Sequence, residues 1–479
     1  MLLFSDLSFW VVFVLFLTIY AFIRCHSRMG MLVYVTAFSL LFFYLANGWL
    51  MLLLPAVAFV AWGAGRVLAL SHGTATLSDA CLLRRRVFLA LVVVIILSPL
   101  LYFKYSNFLL SSINGLFARN LSLLDLALPV GISFFTFQAI SYVVDVYRGR
   151  FTMRVSFLEF LFYLSFFPLL LAGPITRAET LLPQVRRPRR VSERYLYLGL
   201  WLVMIGLLKK CAVADYIAQF NDWVFSSPQT YSGFECMMAM VGYAVQIYCD
   251  FSGYSDMSIG IAALMGFHLR DNFSFPYRAH NLSEFWRRWH ISLSSWFRDY
   301  VYIPLGGNRC SIARTYINNM ATMLLAGLWH GSTWMFLLWG GIHGLGLVVS
   351  KVFRPWLQRL PAHGWINAAS VFLTFGFVTF AWVFFRSDSL HDATLLLSKA
   401  VSEFDIAYLL PFVKARPWWC VLVALPLLAH FVSDKGFVRM QTRFICLPWL
   451  VKLLLFALAL QVVLQLQTSN VQPFIYYRF

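Results

Sequence analysis

The chain predicts an all-α, polytopic membrane protein, on three observations. Of its 479 residues 61% are hydrophobic and 18% aromatic, and only 12% are charged, whereas roughly a quarter of an average soluble domain is charged. Apolar stretches approaching the ~20 residues that an α-helix needs to cross a hydrocarbon core recur along the whole length. Short basic clusters separate them, and no Pro/Ser/Gly-rich linker, low-complexity block or fixed-period repeat divides the chain, so one membrane domain over 1–479 is expected.

In order, the apolar stretches are 7–23, 31–46, 49–62, 87–103, 130–146, 157–171, 195–208, 237–249, 334–349, 368–385, 418–431 and 451–466. They predict roughly ten to thirteen membrane helices, some too short to span alone. The first stretch lacks a basic leader and a small-residue cleavage site, so it is expected to stay in the mature chain. Basic clusters at 24–28, 84–86, 186–190 and at Lys209 with Lys210 read as cytoplasmic anchors under the positive-inside rule, which puts the N-terminus outside. Strict alternation then leaves 186–190 on the wrong side. A broken or re-entrant segment resolves the conflict, and Pro129 with Gly131, and Gly173 with Pro174, mark where it falls. Irregular backbone in a membrane lines a protein-enclosed cavity, so a cavity is expected.

The formal charge of +18 sits in clusters between apolar spans and not along one soluble face, which excludes nucleic acid as a partner and points to membrane lipid. The eight cysteines form no CxxC pair and read as packing thiols. There is no HExxH, no Cys/His pair at zinc spacing and no EF-hand loop, so no metal is expected. GxSxG, Walker A and dinucleotide-binding glycine patterns are absent as well.

The interval 270–314 is the longest relatively polar one. On a helix Trp286, His290, Leu293 and Phe297 fall in one row, and Arg288, Ser292, Ser295 and Asp299 in a neighbouring polar row, which predicts an amphipathic helix stopped by Pro304 and Gly306-Gly307. Such a helix reads equally as an interfacial anchor. An anchor, however, has no need of the His290 imidazole. His330, in Gly-Leu-Trp-His-Gly, is flanked by apolar residues on both sides. Ionisable groups at membrane depth mark function or a partner, and an imidazole is the usual general base for a hydroxyl nucleophile. Gly327 and Gly331 leave room beside it for a close helix or for a substrate. His343 lies thirteen residues on, about 220° round an ideal helix, and so cannot share a face with His330 on one straight helix. It reads first as a hydrogen-bonding residue at a helix crossing. In YAVQIYCDFSGYSDMSIG, Gln246, Asp250, Ser252, Ser255 and Asp256 interrupt an apolar pattern, consistent either with a ligand-facing break or with a structural polar network.

Taken together, LPVGISFFTFQAISYVVDVYRG, FFPLLLAGPITR, YAVQIYCDFSGYSDMSIG, NFSFPYRA, FWRRWHISLSSWFRDYVYIPLGGNR and GLWHGSTWMFLLWGGIHG resemble the membrane-bound O-acyltransferase family, and within it the bacterial alginate O-acetylase branch, over a core of 128–344. The resemblance implies a multi-helix core around a tunnel in a bacterial inner membrane. It implies no resident cofactor, an acyl donor that is acetyl-CoA or another acyl thioester, and a polysaccharide or a periplasmic relay acyltransferase as acceptor. Alginate, cellulose, other exopolysaccharides and peptidoglycan all fit. His330 then corresponds to the family's base, and His290 to the preceding histidine or asparagine position, where it would stabilise an oxyanion or orient the carbonyl. Gln246, Asp250, Ser252, Asp256, Trp286, Trp289, Trp329 and His343 are candidate tunnel or substrate residues. Leu170 stands where a more polar residue is expected. The D-alanyl transfer branch looks similar over the same words. A proton-coupled transporter or flippase is the rival from another class, although related halves are not evident, and an export scaffold is a third.

Overall fold

The computed structural model describes residues 4–70, 78–171, 173–186, 191–357 and 364–466. Every regular element among them is a helix, as expected. Contacts group the chain into two compact units, Met1–Gly199 with Ser258–Arg270, and Leu200–Met257 with Asp271–Phe479.

The first unit holds α1 (Leu7–His26), α2 (Arg28–Asn47), α3 (Leu53–Leu70), α4 (Asp79–Leu100), α5 (Ser106–Phe117), α6 (Ile132–Tyr147), α7 (Phe157–Ser165), α8 (Phe167–Leu170), α9 (Ala178–Arg186) and the start of α10 (Glu193–Leu207). Its core is aromatic, with the Phe167 ring 5.3 Å from Phe16 and 5.9 Å from Phe42. Large apolar side chains such as Phe22, Phe59, Leu70 and Leu91 stay exposed on the long helices. In water they would be a liability, but a bilayer covers them. The breaks fall where glycine and proline place them. Gly131 begins α6 with φ 82°, and a Cβ on Gly173 would lie 2.5 Å from Leu169 Cα, so α6 to α9 are all short. Glu159, in the first turn of α7, accepts hydrogen bonds from Arg186 Nε and Nη2, both at 2.9 Å, and pairs with Arg28. Of the basic cluster at 186–190, only Arg186 lies among the described residues.

The second unit holds the rest of α10, a π-helical turn Leu208–Ala214, α11 (Asp215–Ser226), most of α12 (Gly233–Leu264), α13 (Leu282–Arg288), α14 (Ile291–Phe297), α15 (Ile312–His330), α16 (Trp334–Leu357), α17 (Gly364–Arg386), α18 (Leu390–Ser402), α19 (Leu409–Ala415), α20 (Pro417–Ala429), α21 (Asp434–Cys446) and α22 (Trp449–Leu466).

Among the described residues seven helical segments are long and apolar enough to cross a membrane, or eight if the pair Ile406–Ala415 and Pro417–Ala429, bent by 103°, counts as one broken span. This is a multi-pass membrane protein. The tally falls below the number of apolar stretches for local reasons. Stretches 31–46 and 49–62 belong to one helical segment, Arg28–Leu70, turned at Gly48 (φ 56°). Stretch 130–146 yields the 16-residue α6, and 157–171 is split at Phe166.

Lys209 and Lys210 correct the reading of them as cytoplasmic anchors. Lys210 is buried, with Nζ 2.7 Å from Asp215 and 2.6 Å from Asp250, and Lys209 Nζ lies 2.7 Å from Asp256. Both ammonium groups are consumed by internal carboxylates, the condition under which a cation tolerates burial. Of the cysteines, all free, Cys211, Cys236 and Cys249 are buried as packing thiols would be, while Cys25 and Cys446 are exposed.

Candidate active site

His330 is the last residue of α15. The chain turns through 331–333, so α16 runs back along α15, and glycines form the seam. A Cβ on Gly327 would collide with the Phe336 carbonyl oxygen, and one on Gly340 with the Met323 carbonyl oxygen. The space beside Gly327 and Gly331 is thus taken by a close helix and not left for substrate. This hairpin brings together two histidines that a single helix would separate. The Trp339 ring stands 5.0 Å from His330 and 4.8 Å from His343. Phe385 on α17 covers His330 at 5.3 Å, and His330 is only 3% exposed. His330 thus stands at the C-terminal end of α15, the negative end of that helix's dipole.

His290 departs from the amphipathic helix expected through 286–299. The helix breaks there into α13 and α14, and His290 takes a left-handed backbone with φ 42°. A non-glycine residue in that region costs roughly 1–2 kcal/mol. Asn272 supplies the compensation. Its backbone carbonyl accepts from Ile291 N–H at 2.9 Å, and its Oδ1 accepts from Ser292 N–H at 3.1 Å and from the Ser292 hydroxyl at 2.9 Å. The His290 Nδ1 lies 3.2 Å from that same Oδ1. A backbone N–H can only donate, so the Asn272 atom facing it is oxygen; the Ser292 hydroxyl also lies 3.4 Å from Nδ1, but it is turned to that oxygen at the shorter 2.9 Å, which leaves Nδ1 to carry the ring hydrogen. The neutral ring therefore presents a lone pair at Nε2, which has no hydrogen-bond partner among the described residues. Burial holds His290 neutral, its pKa pushed down to about 3.

The Trp329 ring lies 5.9 Å from His290 and 5.0 Å from His330. Three imidazoles thus alternate with two indoles: His290, Trp329, His330, Trp339, His343. Trp289 is wall, stacked at 5.6 Å on Phe285 and 5.0 Å from Trp382. Trp286 faces His343 at 5.1 Å and also lines a cavity of about 120 Å³ with Leu293, Arg298, Tyr302, Asn319 and Met323. Lys351 Nζ reaches Asn319 Oδ1 at 3.1 Å and lies 5.5 Å over the Tyr302 ring, so the apolar cavity has a cationic side. His330 is not among the cavity's lining residues. His343 is fully buried, and neither ring nitrogen has a partner among the described residues. No hydrogen bond from it at the crossing is present among the described residues.

Of the polar row of α12, only Ser255 reaches the site, its Oγ accepting from Asn272 Nδ2 at 3.2 Å. Asp250 and Asp256 pair with Lys210 and Lys209, Gln246 Oε1 accepts from Asn221 Nδ2 at 2.9 Å, and Ser252 is buried. That is the structural network of the two alternatives. Among the described residues no group of three or more His, Cys, Asp or Glu side chains is placed to hold a metal ion. Sequence reasoning missed Asn272, although it opens the NFSFPYRA word, and the aromatic partners Trp339, Trp382 and Phe385. Their signal is only that of buried aromatics.

Residues 151–388 match the model of the membrane-bound O-acyltransferase family, a stretch that contains His290, His330, His343 and Asn272. Over 358 residues the chain is 38% identical to "Probable alginate O-acetylase AlgI" of Pseudomonas aeruginosa, covering 72% of this chain and 68% of that one. The chain belongs to the membrane-bound O-acyltransferase family. Other members it resembles are the "Peptidoglycan O-acetyltransferase" of Helicobacter pylori, 37% identical over 66% of this chain and 65% of that one, and the "Teichoic acid D-alanyltransferase" of Bacillus subtilis, 27% identical over 55% and 69%. The alignments span 62% to 68% of the length of three alginate O-acetylase relatives.

Proposed function

We propose that this O-acyltransferase moves an acetyl group from a cytoplasmic thioester, acetyl-CoA or a related carrier, to a hydroxyl of an extracellular polysaccharide, directly or through a periplasmic relay protein. Alginate is the acceptor class that the relatives' names favour; cellulose and peptidoglycan share the same chemistry. The observation that carries the reading is the burial of His330 at a helix C-terminus, within aromatic walls and with a second imidazole across Trp329.

In this reaction the acceptor oxygen forms a bond to the acyl carbon, and the carbon–sulfur bond breaks. The hydroxyl proton passes to His330 as attack proceeds, and returns from the imidazolium to the departing sulfur. A buried base gains from water exclusion, since water would otherwise take the acyl group. The cavity beside Trp286, apolar with Arg298 and Lys351 at its side, suits the arm of an anionic thioester carrier. Trp286 stands 5.9 Å from Trp339, and Trp339 5.0 Å from His330, so these two indoles link the cavity wall to the base. The bacterial inner membrane is the compartment in which a cytoplasmic donor and an outer acceptor are separated by one bilayer.

His330→Ala is expected to abolish acetylation of surface glycans, read by mass spectrometry of glycans from cells with and without the protein, at unchanged expression and membrane insertion. Retained acetylation removes the assignment of the base. The same spectra separate an acetyl increment from a D-alanyl one, the alternative that the teichoic acid relative raises.

A further inference from the structure

We propose that Asn272 is a positioning residue of this site: it locks the proton of His290 on Nδ1, so that Nε2 stands as a hydrogen-bond acceptor for an O–H or N–H of a substrate. This inference rests on the acyl-transfer reading only for the identity of the substrate. The tautomer itself follows from geometry.

Three contacts converge on one oxygen. Ser292 N–H, the Ser292 hydroxyl and His290 Nδ1 stand 3.1, 2.9 and 3.2 Å from Asn272 Oδ1. The other end of the amide is placed as well, with Nδ2 donating to Ser255 Oγ at 3.2 Å, so the amide has a unique orientation. Asn272 is 1% exposed and His290 fully buried, so bulk solvent does not reach the ring. A free neutral imidazole exchanges its proton between the two nitrogens; here one nitrogen faces an acceptor, and the other is left with its lone pair. The Phe251 ring at 4.6 Å and the Trp329 ring at 5.9 Å hold the imidazole edgewise.

The consequence is a change of role for His290. An oxyanion needs a donor, and a lone pair at Nε2 repels it. What Nε2 can receive is a hydrogen-bond donor beside the reacting centre. Two sources share that chemistry: a second hydroxyl of a sugar acceptor, adjacent to the one being acylated, and an amide N–H in the arm of the thioester donor.

The test uses the full-length protein in nanodiscs, labelled with ¹⁵N-histidine, with the His290 signals assigned by their loss in His290→Gln. A pyrrole-type Nδ1 and a pyridine-type Nε2 are expected in the unaltered protein, and mixed tautomers in Asn272→Ala. A protonated Nε2 in the unaltered protein overturns the proposal without any variant, and so does an Asn272→Ala spectrum identical to the parent's. In transfer assays Asn272→Ala is expected to lower kcat/KM about 10- to 100-fold, the effect of losing one buried hydrogen bond. A rise in KM for the polysaccharide identifies the hydroxyl as the group bound, and a rise for acetyl-CoA the amide; an unchanged kcat/KM for both removes the substrate contact. A protein that shows the expected tautomer but transfers no acyl group retains the assignment of Asn272 and loses the function. Transfer with the other tautomer does the reverse.

Discussion

Replacing Lys210 with methionine tests whether the carboxylates of α12 are scaffold or machinery. Lys210 is 3% exposed in its side chain and bridges Asp215 and Asp250, which are 10% and 5% exposed. One ammonium bridges two buried carboxyl groups, so the lysine is a counter-ion shared by both acids. Without it, two carboxylates face each other in a dry interior. Breaking a buried pair by removing one partner costs about 3–5 kcal/mol, because the charge left behind is uncompensated. Asp250→Asn is the contrasting change: it leaves Lys210 paired with Asp215 and keeps an amide oxygen of the same shape for the ammonium, so it is expected to cost about 1 kcal/mol, the scale of one hydrogen bond. The triple variant with methionine at 210 and asparagine at 215 and 250 should regain most of the loss. Thermal unfolding of the detergent-solubilised protein, together with acetyl transfer, reads both properties. If Lys210→Met unfolds at the same temperature as Asp250→Asn, the bridging cation is not structural. If Asp250→Asn keeps its stability and loses transfer, Asp250 belongs to the catalytic machinery after all.

Two further outcomes follow from the same geometry. The Arg186 guanidinium, with help from the Ser156 backbone and Arg28, holds the Glu159 carboxyl down to about pKa 2, so its stabilisation is present above the unfolded carboxyl's pKa and is lost as pH falls from about 4.5 toward 2. Glu159→Gln should therefore lower stability by ~2 kcal/mol at pH 7, allowing for screening of the two part-exposed arginines, with the difference closing below about pH 3 in denaturation curves; a constant difference down to pH 2 would exclude the charged pairing. Gly327→Ala puts a methyl into the Phe336 carbonyl and should cost about 1–3 kcal/mol with a larger proportional loss of transfer, since the α15–α16 seam sets the distance between His330 and Trp339; a fully active variant would show that this spacing is not critical.

The parts of this protein that were legible in its sequence are those set by local composition. Apolar stretches, the glycine and proline breaks near Gly131 and Gly173, the stop after Tyr302, and the isolated histidines all announce themselves within a few residues. The parts that were not legible depend on partners far along the chain. The helical period runs without a flaw through 286–299, yet the helix breaks at His290 because Asn272, eighteen residues earlier, offers its own carbonyl and side chain to the amides that follow. Lys209 and Lys210 look like any basic anchor until Asp250 and Asp256 are placed beside them. The 220° separation of His330 and His343 is correct for one helix and irrelevant for two, because 331–333 fold the second helix back on the first.

Three buried imidazoles in one aromatic row are chemically equivalent only on paper, and the backbone around each decides what it can do with a proton. His343 sits inside α16 with neither nitrogen engaged among the described residues. His290 stands before the first turn of α14, at the positive end of that helix, and its Nδ1 proton is already committed to Asn272. His330 alone ends a 19-residue helix, at the negative end of the dipole. The two rings thus sit at helix ends of opposite polarity, His290 before the start of α14 and His330 at the end of α15. Environments that push two titratable groups apart in this way are how a site separates a group that carries a proton from one that only holds a substrate.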